Sequence, residues 1–144
     1  MSSSFSWSLL PFIAATCYFL LVDGLWISFF VLDTYKSILK ASIGDFQVPY
    51  LPFVAAFVYL LLVGGLMLFA LPHVKKSQCM LDALIYGGLY GLVVYGVYSG
   101  TNYTVIQGWN MWLLITDCLW GMFICATTLA VYVYVLSIQK GAPV

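Results

Sequence analysis

Apolar positions along this chain form long unbroken runs rather than faces. Residues 7–32 carry one charge, Asp23, and residues 51–71 carry none. Residues 80–100 hold a single charge near their start, Asp82, and residues 111–138 hold only Asp117. A hydrocarbon layer about 30 Å thick is crossed by about 20 predominantly apolar residues in a helix, so each run predicts a transmembrane helix. Strands of a membrane barrel would alternate apolar and polar positions instead. Pro49, Pro52 and Pro72 punctuate the second run, as residues that a helix interior excludes. The links hold Lys36 and Lys40, then His73, Lys75 and Lys76, then the polar stretch from Thr101 to Asn110, with Lys140 in the tail. The expected fold is an all-α membrane protein, one transmembrane domain over residues 1–144 with four helices running up-down-up-down.

Composition narrows the class. Hydrophobic residues make up 64% of the chain and charged ones 7%, against about 25% charged in a soluble domain. Ten charges cannot cover a water-exposed globule, and no basic stripe offers itself to nucleic acid. The first run lacks a positive flank and is longer than the apolar core of a signal peptide, about 7–15 residues. It is expected to stay as a helix. Lys75, Lys76 and Lys140 against Lys36 and Lys40 favour termini on the cytoplasmic or matrix side of an unspecified membrane. Tyr35, Ile38 and Leu39 share one side of a helix and Lys36 and Lys40 another, so the first link is either an interfacial helix or a solvated loop.

Four cysteines without a Cys-x-x-Cys pair read as small packing residues. A lone histidine makes no metal site, and no cofactor motif is present. Asn102-Tyr103-Thr104 matches a glycosylation sequon but abuts a helix end, where a cap or pocket role is expected.

Asp23 and Asp117 carry the chemistry. A carboxylate inside a membrane span costs about 2.5–3.5 kcal/mol on insertion scales, so it faces protein or water. Both sit in an Asp-x-Leu-Trp, Asp23 to Trp26 and Asp117 to Trp120, which sets Asp and Trp on adjoining parts of one helix face. At 1.5 Å per residue, Asp23 lies about 13 Å before the end of the first helix and Asp117 about 9 Å after the start of the fourth. Those ends share a membrane face, so the carboxylates share a depth. Two crossed pairs follow, Asp23 with Trp120 and Asp117 with Trp26, an arrangement like that of an inverted repeat.

The third helix supplies another wall. Gly87, Gly88, Gly91, Tyr95, Tyr98 and Asn102 fall within a sector of about 100°, with Ser99 at its border. The glycines allow close helix packing; the tyrosines and Asn102 turn the same face polar near the carboxylates.

At these residues the chain resembles a family of small bacterial, algal and viral membrane proteins catalogued as a domain of unknown function. The match rests on Asp23-x-x-Trp26, Tyr95-Gly96-x-Tyr98-x-x-Thr101-Asn102, Gly108-Trp109 and Asp117-x-x-Trp120-Gly121, and its spacing holds across nearly the whole chain. The family pattern places an Asp where this chain has Ser99. The resemblance implies four helices and a shared polar cluster, and no reaction.

Three functions remain open. The first is a non-enzymatic pocket of Asp23, Trp26, Tyr95, Tyr98, Ser99, Asn102, Asp117 and Trp120 that binds or passes a small ligand, lipid headgroup or proton. The second is an accessory subunit or homo-oligomer with contact faces built from Phe57, Tyr59, Tyr86, Tyr90, Tyr132 and Tyr134. The third is a lipid-modifying enzyme, which no His, Arg or nucleotide motif near the carboxylates assists. Membrane lipids are the expected partners in each. Buried polar groups must also be paired whether or not anything binds, so the cluster alone does not choose.

Overall fold

The computed structural model describes residues 8–44, 51–75 and 79–141; Trp7, Pro49 and Lys76 lie outside the described residues. Helix α1 (Leu9–Trp26) passes through a π turn (Ile27–Val31) into α2 (Leu32–Ile43). Helix α3 (Pro52–Phe69) ends in a 3₁₀ turn (Leu71–His73), and α4 (Cys79–Val105) and α5 (Met111–Gln139) complete the bundle. Among the described residues, four stretches are long and apolar enough to cross a membrane: Leu9–Ile43, Pro52–His73, Cys79–Val105 and Met111–Gln139.

Local chemistry sets the ends. Pro52 opens α3, where a missing N–H goes unmissed, and Pro72 closes it in the 3₁₀ turn. The Asn110 side chain accepts the Leu113 N–H at 3.0 Å and caps α5. Asp82, buried in the first turn of α4, accepts the Lys75 backbone N–H at 2.9 Å and ties down the link before it.

The largest departure from expectation lies at the end of the first helix. It was expected to stop near residue 32, and instead continues to Ile43 as a stretch of 35 residues, about 50 Å long. No Gly or Pro interrupts residues 25–43, and the stop comes at Gly44, whose φ of +81° ends helices readily. The first link is thus helical rather than a loop, and α2 leans on the α4–α5 link. Tyr35 stacks on Trp109 at 5.0 Å, and Ser42 donates to the Gln107 carbonyl.

Helices α4 and α5 make the tightest seam. A Cβ on Gly87 would stand 2.7 Å from the Cys125 carbonyl oxygen and 2.8 Å from Ala126 Cα, and one on Gly91 would run into the Gly121 carbonyl. Gly88 has ordinary room, its nearest neighbour being the Met122 carbonyl oxygen at 3.7 Å. The expected glycine face is thus a packing face against α5. Helix α1 joins the seam through Ala15 and Phe19, both fully buried, and the Ser8 N–H donates to the Tyr132 hydroxyl at 2.9 Å.

Helix α3 is buried chiefly through its second half. Val63, Leu66 and Met67 are fully buried, while Leu51 to Leu61 are exposed except for the half-buried Tyr59. Its first half therefore stands off the bundle, and a cavity occupies the gap. Of the six aromatics expected as contact faces, only Phe57 and Tyr134 are exposed. Tyr132 is fully buried, Tyr90 donates to the Leu62 carbonyl, and Tyr86 stacks on His73. They are drawn inward because a phenol hydroxyl inside a bilayer finds partners only in protein.

Candidate functional site

Asp23 is buried on α1 and receives three donors. The Trp120 indole N–H of α5 lies 2.8 Å from Oδ1, the Tyr95 hydroxyl of α4 lies 3.3 Å from Oδ1, and the Tyr59 hydroxyl of α3 lies 2.9 Å from Oδ2. One carboxylate thereby ties three helices to α1. The first crossed pair, Asp23 with Trp120, forms as depth and antiparallel order require.

The second does not. Trp26 lies flat on Trp120, ring centroids 4.3 Å apart and 8° from parallel, and Phe30 stacks on it at 4.8 Å. Asp117, buried on α5, instead accepts the Tyr35 hydroxyl at 2.6 Å through Oδ1. Tyr35 escaped the sequence reading because it falls beyond the expected end of the first helix. The π turn puts it in place. Twelve residues after Asp23, a regular helix at 100° per residue would leave Tyr35 about 120° around the axis. A π turn holds roughly one residue more than an α turn, which takes back about 100° and returns Tyr35 to the Asp23 face. The apolar runs conceal this device, since a π turn has no sequence punctuation of its own.

The other expected residues divide. Tyr95 meets Asp23. Tyr98 faces the cavity and meets the Trp109 ring edge-on at 6.1 Å, with Asn102 beside it. Among the described residues neither Tyr98 nor Asn102 hydrogen-bonds a carboxylate, because both stand closer to the α4–α5 link. Asn102 lies inside α4, which runs to Val105, so it does not cap the helix. Ser99 is fully buried and accepts the Trp109 indole N–H at 3.0 Å. The position where the family pattern has an acid therefore anchors the link in this chain. Tyr59, read from the sequence as a contact surface, is a ligand of Asp23 instead.

These groups line a half-open cavity of about 470 Å³. Asp23, Trp26, Tyr35, Tyr59, Tyr95, Tyr98, Asp117 and Trp120 supply its polar and aromatic wall; Ile27, Val31, Ala55, Val58, Leu62 and Val94 supply the apolar remainder. One oxygen of Asp117, Oδ2, is buried and has no hydrogen-bond partner among the described residues. An unsatisfied buried acceptor costs about 1–3 kcal/mol. Among the described residues, no group of three His, Cys, Asp or Glu side chains could hold a metal ion, and the four cysteines are free.

Fold and site together define a four-helix membrane protein whose spans line a carboxylate–aromatic cavity. The family model described as "Predicted membrane protein (DUF2177)" matches residues 8–134, and the chain belongs to that family. No curated protein and no solved structure matches the chain.

Proposed function

We propose that this is a non-enzymatic binding protein of the membrane, whose Asp23–Asp117 cavity takes up a small ligand or lipid headgroup. The observations that carry the reading are that Asp117 lines a cavity large enough for a ligand and that its buried Oδ2 has no hydrogen-bond partner among the described residues. Asp23 has its full set of donors and serves as the structural knot. Asp117 has one donor and a free oxygen. The exposed half of α3 lies beside the cavity at the height of the spans, which supports entry from the bilayer rather than from water.

Catalysis fits the cavity poorly. Among the described residues, the donors around both carboxylates are phenols and indoles, with no His or Lys in the lining to pass a proton on. The standing-off half of α3 also favours a second reading, in which another subunit or a second copy covers Phe53, Phe57 and Leu61.

Native mass spectrometry of the protein extracted from its own membrane tests the choice. The expected result is a retained small molecule in the wild type that is lost in Asp117→Asn, where an amide N–H₂ replaces the free acceptor. A bare monomer in both forms defeats the binding reading. A stable complex with a protein partner, unaffected by Asp117→Asn, supports the subunit reading.

A further inference from the structure

Resting on the binding reading above, we infer that the cavity selects amphiphilic amines: an ammonium group carrying at least one N–H, attached to an apolar chain.

The donor inventory of the wall leads there. Tyr59, Tyr95 and Trp120 are committed to Asp23, and Tyr35 is committed to Asp117 Oδ1. Asp117 Oδ2 is left as an acceptor without a donor, and its complement is a donor. Among the described residues the wall contains two carboxylates and no Lys, Arg or His. A phosphate or sulfate head would meet two like charges at low dielectric, where repulsion is strongest. A cation would be attracted by both. An ammonium is a compact charge with N–H groups to give, and an alkyl amine stays charged at neutral pH because its pKa is about 10.4.

The aromatic wall adds a second attraction. Trp26 is covered by Trp120 at 4.3 Å and by Phe30 at 4.8 Å, which leaves the phenols of Tyr95 and Tyr98, in the lining of the same cavity, to meet a cation. A phenol face attracts a cation more strongly as the cation is desolvated. Val58, Leu62 and Val94 then offer an apolar track for the hydrocarbon chain. Each part of the wall matches one part of the same molecule: a free acceptor for the N–H, net negative charge for the cation, and aliphatic side chains for the tail.

Four probes with one chain and different heads separate these contributions: dodecylamine, dodecyltrimethylammonium, dodecanol and dodecyl sulfate. Binding to the protein in phosphatidylcholine nanodiscs is read from quenching or shift of tryptophan fluorescence. Dodecylamine is expected to bind about tenfold or more tighter than dodecanol, equivalent to about 1.4 kcal/mol. The trimethylammonium, a cation without an N–H, should fall between them, and dodecyl sulfate should not saturate. In Asp117→Asn the amine should weaken to the level of the alcohol, while dodecanol changes less than about threefold. Val94→Trp, which fills the cavity without touching a carboxylate, should abolish amine binding in a protein that elutes as the wild type does; it holds the test open if Asp117→Asn fails to assemble. Equal binding of dodecanol and dodecylamine, or of the quaternary and primary amines, overturns the amine proposal and leaves the pocket standing. Absence of saturable binding for all four probes, together with no copurifying molecule, overturns the binding reading itself.

Discussion

Asp23 and Asp117 share a residue type and a depth, yet differ in how fully they are satisfied. Asp23 receives an indole and two phenols from three different helices. Its role in assembly predicts energetic coupling: Asp23→Asn and Trp120→Phe should be non-additive by about 0.6 kcal/mol, up to about 1.7, the span for intramembrane hydrogen bonds. Equilibrium unfolding in mixed micelles through a double-mutant cycle measures it, and strict additivity would mean that the 2.8 Å contact contributes nothing. The Asp23–Trp120 pair was legible in the sequence because it needed only two repeated motifs and an antiparallel order. Pairing Trp26 with Asp117 failed because depth does not fix direction around the axis. Flat stacking on Trp120 buries more of the Trp26 ring than one hydrogen bond through its edge would. Tyr59 was read outward because α3 has apolar residues on every side, so nothing in its pattern marks an inward face.

At the scale of elements, two features carry the site: the α4–α5 seam and the π turn. The seam predicts a contrast between glycines. Gly91→Ala should cost roughly 1–3 kcal/mol, because its Cβ would run into backbone that cannot shift cheaply. Gly24→Ala meets nothing within 4 Å and should be neutral, or stabilising by up to about 1 kcal/mol through helix propensity. Thermal unfolding in detergent distinguishes the two, and equal effects would contradict the seam. The π turn predicts a conditional effect. Removing two residues, Ser28 and Phe29, should abolish the π turn with the first and turn α2 by about 100° with the second, carrying Tyr35 away from Asp117. Tyr35→Phe should then change stability in the wild type, by about 1 kcal/mol, and be silent in the deletion background. An effect of equal size in both would show that Tyr35 acts elsewhere. Helix existence was legible at this scale because four long apolar runs leave a bilayer few alternatives. The extension to Ile43 was not. Charges at Asp33, Lys36 and Lys40 signal departure from lipid but do not end a helix, and the stop at Gly44 becomes visible only when chain punctuation is weighed above hydropathy.

For the whole molecule, the bundle is asymmetric: α1, α4 and α5 pack through their length, and α3 is buried through its second half and otherwise joined by Tyr59. That asymmetry opens the cavity that Asp117 lines. Four spans also place Gln107 and Gly141 on opposite faces. Single cysteines at these positions, in a background without the native four, should label from opposite sides of sealed vesicles; labelling from the same side would remove the bundle and the site with it. The central claim is narrower, that Asp117 Oδ2 meets a molecule that is not this protein. The direct measurement is an experimental structure in native lipid at a resolution that separates the two carboxylate oxygens of Asp117. Non-protein density in the cavity, within about 2.7–3.2 Å of Oδ2 and continuing between Val58 and Val94 as a chain, is the predicted result. An α3 closed down over an empty cavity, with Oδ2 taken by a side chain of the protein, would contradict the account.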